Sequence, residues 1–156
     1  MSDIVAGRAG QNAVSRPAIL AGVSDLQLAF FLFRFASGVN LFFHGTMRMI
    51  TGVVPWADKQ AEAFVNNPLL PMWFVKSFLY ILPPIEAAMG AMIALGLFTF
   101  WSLLAGFGLM FVLTFGNLTR QDWNTVGNNM HYVLYYALMI AAQRYNVFSL
   151  DQRKGR

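Results

Sequence analysis

Phe98-Thr-Phe-Trp-Ser-Leu-Leu-Ala-Gly-Phe-Gly-Leu-Met-Phe-Val-Leu-Thr-Phe-Gly-Asn-Leu118 holds no charged residue. At ~1.5 Å of rise per residue a helix over this stretch is about 31 Å long, enough to cross the ~30 Å hydrocarbon core of a bilayer. The whole chain agrees with that reading. Hydrophobic residues make up 57% of its 156 positions and charged residues 12%, about half the charged share of an ordinary soluble domain. Mean hydropathy is +0.51, and so short a chain has too little interior to hide fifteen phenylalanines and nine methionines from water. Disorder and disulfide-stapled mini-proteins are excluded, and a soluble enzyme core is disfavoured.

Outward from this span, Leu97 is the only link to a preceding apolar stretch, about Met72 to Gly96, so the two helices are antiparallel neighbours. On the other side, Thr119 to Asn124 leads to a span from about Val126 to Gln143, whose strongly apolar part begins only at Tyr132. The first span runs from about Leu26 to Gly45, with Pro17 and Ser24-Asp25 marking its approach. Between the first two spans, Gly52, Pro55, Pro68 and Pro71 punctuate a loop. The amphipathic piece Trp56 to Val65 within it fits a short helix at the membrane surface. The expected fold is an all-α membrane protein, a four-transmembrane-helix bundle. Residues 1–25 form a polar N-terminal tail, 26–145 the membrane domain and 146–156 a basic C-terminal tail. Residues 1–10 have no signal-peptide pattern.

With four spans both tails share one side, which collects Arg8, Arg16, Arg144, Arg153, Lys154 and Arg156 against Arg48, Lys59 and Arg120 opposite. The excess places both termini in the cytoplasm, with Trp56, Trp73, Trp123 and Tyr132 near the outer interface. The net charge of +4 therefore reads as topology, with no nucleic-acid partner. Cysteine is absent, so disulfides, thiolate metal sites and cysteine nucleophiles are excluded together.

A charge inside hydrocarbon costs about 2.5–3.5 kcal/mol on insertion scales, so each intramembrane ionisable residue is a candidate functional group. Arg34 lies ~12 Å from the cytoplasmic end of span one and Glu86 ~15 Å from the same side in span two. Matching depth predicts an Arg34–Glu86 ion pair, which is either a clamp on helix register or part of a proton or ligand site. Gly38, Leu41, Gly45 and Arg48 share the Arg34 face of span one, with Ser37 and His44 beside it. Phe31, Leu32, Phe35, Val39, Phe42 and Phe43 are expected to face lipid. In span two, Pro83 and Pro84 free backbone carbonyls that need a polar partner, for which Arg34 or a ligand is the candidate. Ala87, Gly90, Ala91, Ala94 and Gly96 form a surface for close helix contact. His44, Arg48 and His131 are expected near the outer mouth, at the level of Lys76, Asn128 and Asn129. Two histidines without neighbouring carboxylates do not make a metal site, but they suit a ligand headgroup that exchanges protons, such as a quinone.

The order and spacing of Arg34, Gly38, His44-Gly45 and Arg48, then Pro84-Ile85-Glu86, Gly90 and Gly96-Leu97-Phe98-Thr99, then Tyr145 to Asp151, resembles the DoxX family of small four-helix membrane proteins. The resemblance runs from about Leu28 to Asp151. It implies a four-helix domain of the prokaryotic cytoplasmic membrane that works with redox partners. It also brings in DoxD, a subunit of thiosulfate:quinone oxidoreductase. Where that family commonly carries lysine after the His-Gly pair, this chain has Arg48, which keeps the charge and loses an easily titrated amine. Two functions remain. One is a membrane subunit binding quinone through Arg34, His44, Arg48, Glu86 and His131 and supporting an oxidoreductase. The other is a non-catalytic anchor or assembly subunit. Both call for a protein partner within the bilayer and both allow a homo-oligomer. Solute transport fits four spans poorly.

Overall fold

The computed structural model describes residues 21–154. The N-terminal stretch read as a polar tail, with Arg8, Arg16 and Pro17, and the last residue, Arg156, lie outside the described residues. All regular structure within them is helical: α1 (Asp25–Thr51), α2 (Val53–Glu62), α3 (Met72–Leu95), α4 (Thr99–Thr119), α5 (Trp123–Ala141), a 3-10 turn (Gln143–Tyr145) and α6 (Leu150–Lys154). Three of these, α1, α3 and α4, are long and apolar enough to cross a membrane. The 19-residue α5 is not one of them, since Asn124, Thr125, Asn128, Asn129 and His131 occupy its first half.

The helices begin and end where local chemistry dictates. Ser24 caps α1 through a capping box, its hydroxyl accepting from Gln27 N–H while the Gln27 side chain accepts from Ser24 N–H. Gly52, at φ 107°, separates α1 from α2 in a conformation that favours glycine. Asp122 caps α5 by accepting from Thr125 N–H at 3.2 Å. The α3–α4 turn is as short as the sequence predicts, with Gly96 and Phe98 both left-handed.

The tightest packing is between antiparallel α1 and α3, where glycines bring the backbones into contact. A Cβ on Gly90 would lie 2.2 Å from Phe42 N, and one on Gly38 would lie 2.3 Å from Ala94 N. The small-residue surfaces read from the sequence are therefore one interface, seen from its two sides. A second pairing, α4 with α5, closes a core of Leu41, Ile93, Leu103, Met110, Tyr136 and Met139. Pro83 and Pro84 sit inside α3 without ending it.

Two expectations gain detail. Helix α2 is not a free surface helix: Ala57 and Ala61 are buried against Val75, Leu79 and Leu82 of α3, and Asp58 accepts from Tyr80 Oη at 3.0 Å and pairs with Lys76 Nζ at 2.9 Å. Alanines at a four-residue spacing let α2 approach closely, which lipid contact does not require. Nor is the chain after residue 145 a free tail. Asn146 and Ser149 are buried, and the segment returns to the α3–α4 turn through Asp151. The outer surface of the bundle is broadly apolar, with Leu32, Phe35, Phe43, Phe111 and Leu134 all exposed.

Candidate functional site

The membrane-embedded charges fall into two centres about 21 Å apart along α1, the separation of Arg34 from Arg48. At the first, fully buried Arg34 donates through Nη1 to the carbonyls of Ile93 and Ala94 and through Nη2 to that of Phe148 at 2.6 Å. These α3 carbonyls belong to its last turn, where a cation also meets the negative end of the helix dipole. Three residues after Phe148, Asp151 accepts from Phe98 N–H at 2.8 Å, Thr99 N–H at 2.7 Å and the Thr99 hydroxyl at 2.8 Å. Partial burial opposes ionisation of Asp151, but the Thr99 and Phe98 hydrogen bonds and the charge of Arg34 outweigh it and hold the carboxyl below the usual aspartate range.

The expected Arg34–Glu86 pair does not form. Glu86 pairs instead with Arg48, whose Nη1 donates to Oε2. The depths do not match: Glu86 packs beside Gly45, one turn from Arg48 and about three turns from Arg34, and Arg34 is level with the end of α3, where it meets the carbonyls of Ile93 and Ala94. The carbonyls freed by Pro83 and Pro84, those of Leu79 and Tyr80, are likewise not the acceptors of Arg34.

The Arg48–Glu86 pair lies at one end of a cleft of about 490 Å³ lined by α2, α3, α4 and α5 and by the end of α1. The Glu86 side chain is 3% exposed and that of Arg48 25%, so the carboxylate is enclosed and the arginine only partly so. Trp56 covers Arg48, with the guanidinium carbon 4.4 Å from the ring centroid. The walls are apolar, from Val75, Leu79 and Leu82 of α3 and Val112 and Leu113 of α4. Towards the loops the lining turns polar with Arg120, Asp122, Thr125 and Asn129. Arg120 pairs with Asp122 at 2.9 Å and lies over Phe64. Hydrogen bonds from the Thr125 hydroxyl and amide, with the Arg120 charge, hold Asp122 below the usual range although partial burial opposes them, so it is ionised at neutral pH. Asn67, in the loop between α2 and α3, ties that loop to the end of α4 by donating to the Thr119 carbonyl and hydroxyl at 3.1 and 2.8 Å.

No protein-family model, no curated protein and no solved structure matches this chain.

The five residues expected to form one site are thus divided. Arg48 and Glu86 line the cleft. Arg34 belongs to the α3–α4 turn. His44 and His131 are on exposed faces and do not line the cleft, the His131 ring lying beside Tyr135. Among the described residues no cluster of three or more histidine or carboxylate side chains suits a metal ion. Sequence reading missed Trp56, Arg120, Asp122 and Thr125 as cleft residues. The Asp-x-x-Thr cap at the head of α5 was the available signal.

Proposed function

We propose that this chain is a prokaryotic cytoplasmic-membrane subunit that crosses the bilayer four times, with both termini in the cytoplasm, and binds quinone or a similar lipid-soluble redox molecule for a partner oxidoreductase. The observation that carries the reading is the cleft itself, with apolar walls and an arginine–carboxylate pair whose carboxylate is buried. Such a site takes the hydrophobic body of an amphiphile along Leu79, Leu82 and Leu113 and presents N–H donors of Arg48 to a carbonyl. Glu86 beside it is a carboxyl group able to exchange a proton with the same headgroup, accepting one when a quinol is oxidised and, once protonated, returning one when a quinone is reduced. The resemblance to the DoxX family, including its thiosulfate:quinone oxidoreductase relative, points the same way.

The fourth crossing is assigned to α5. Its capped start at Asp122 and its packing along α4 support an antiparallel return, and its polar first half faces the cleft through Thr125 and Asn129. Orientation rests on the basic residues. Even with Lys76 added to the loop side, six stand against four.

A second reading, a non-catalytic anchor for a larger complex, is favoured by Arg34, whose hydrogen bonds serve only the architecture of the bundle. Purification in nanodiscs, followed by mass spectrometry of extracted lipids and co-purifying proteins, separates the two. Stoichiometric quinone that is lost in Arg48→Gln supports the redox reading. A tightly held partner protein with no quinone supports the anchor.

A further inference from the structure

The charges around the cleft come in closed pairs. Its lining contains two cations, Arg48 and Arg120, and two carboxylates, Glu86 and Asp122. Each cation is bound to one carboxylate, Arg48 to Glu86 and Arg120 to Asp122. The adjacent Lys76 is matched by Asp58 in the same way. An anion entering this space would find no uncompensated positive charge, and it would leave water for walls of Val75, Leu79, Leu82 and Leu113. That transfer is costly without a partner. A neutral headgroup meets a different environment. Arg48 uses only Nη1 on Glu86 and its side chain remains 25% exposed, while Glu86 is bonded to Arg48 only through Oε2. Donor and acceptor therefore stand side by side at the cleft end.

We infer that the cleft selects uncharged amphiphiles with a hydroxyl or carbonyl head and rejects anionic ones, fatty carboxylates and thiosulfate included. This rests on the quinone reading for the site but not for the ligand's identity, because long-chain alcohols share the same head chemistry. Glu86 sets the selectivity: with its charge removed, Arg48 becomes an unpaired cation in an apolar cleft and the preference reverses in favour of anions.

The test uses the full chain in nanodiscs and four probes: a short-tailed benzoquinol, decanol, decanoate and thiosulfate. Binding is read from the concentration dependence of the melting temperature. Benzoquinol and decanol are expected to raise it, and decanoate and thiosulfate to leave it unchanged. Gly116→Leu places a side chain into the cleft from α4, at a position where only Phe64 is near, and is expected to remove both shifts. A decanol shift that survives in Gly116→Leu comes from the bilayer and overturns the inference. In Glu86→Gln, decanoate affinity is expected to rise about tenfold while decanol weakens. Should that variant not fold, Asp122→Asn frees Arg120 at the cleft mouth, keeps an amide cap on α5, and is expected to change selectivity in the same direction. Decanoate binding to the wild type as strongly as decanol overturns the charge rule while leaving the quinone reading intact. Decanol binding without benzoquinol binding does the reverse.

Discussion

Arg34 and Asp151 hold the two sides of one tight turn, the arginine on the last carbonyls of α3 and the aspartate on the first amides of α4. A helix C-terminus carries unpaired acceptors and a helix N-terminus unpaired donors, so a single cation and a single anion complete both ends. Gly96 lies between them, with no room for a Cβ beside Ser149 and Arg34.

Arg34→Met leaves these buried acceptors without donors and is expected to cost about 3 kcal/mol of stability, measured by unfolding in mixed micelles. Quinone-analogue binding at the distant cleft should be unchanged once the protein is folded. A double-mutant cycle gives the sharper reading. Arg48 and Glu86 should couple strongly, and Arg34 and Glu86 should be additive. Strong Arg34–Glu86 coupling would contradict the structure.

Asp151→Asn should destabilise by about 0.5–2 kcal/mol, the range of a lost helix N-terminal cap. The pH dependence has a definite sign. The folded state favours ionised Asp151, so its contribution is complete above the unfolded aspartate value of about 3.9 and is lost as pH falls through the lower folded value. Unfolding measured from pH 7 to pH 3 should show a fall in stability below about pH 4 that is shallower in Asp151→Asn.

Gly90→Ala should weaken the bundle by about 1–3 kcal/mol, because the added carbon meets the backbone of Phe42 and neither helix can yield cheaply. Gly108→Ala is the matched control. A Cβ there meets nothing within 4 Å, and alanine favours helix by about 1 kcal/mol over glycine. Thermal denaturation of the two variants should therefore move in opposite directions.

His44→Ala and His131→Ala should leave quinone-analogue affinity within about twofold of wild type, a change of under ~0.5 kcal/mol, since neither residue lines the cleft. Arg48→Gln should weaken it at least about tenfold, by removing a charged donor at the headgroup end. A tenfold loss in either histidine variant would move the headgroup site out of the cleft.

By itself the sequence determined the apolar helices, their punctuation and the small-residue faces that must meet. These properties follow from residue type and from a 3.6-residue period, both of which are local. Gly38, Gly45 and Gly90 could be read as contact points without knowing the partner helix, and Ser24 and the turn after Leu95 could be read as boundaries. Tertiary structure alone decided which charge meets which. Arg34 and Arg48 share one face of α1, so helical period cannot choose between them; the register of α1 on α3 does, setting Glu86 beside Gly45, one turn from Arg48 and about three from Arg34. The returning C-terminal segment meets Arg34 at the α3–α4 turn, where the Phe148 carbonyl accepts from it, while Glu86 pairs with Arg48. The cleft was illegible for the same reason. Its lining comes from five helices, and the pairing of Arg120 with Asp122 acquires meaning only when α2 and α5 bring Trp56 and Thr125 to the same space.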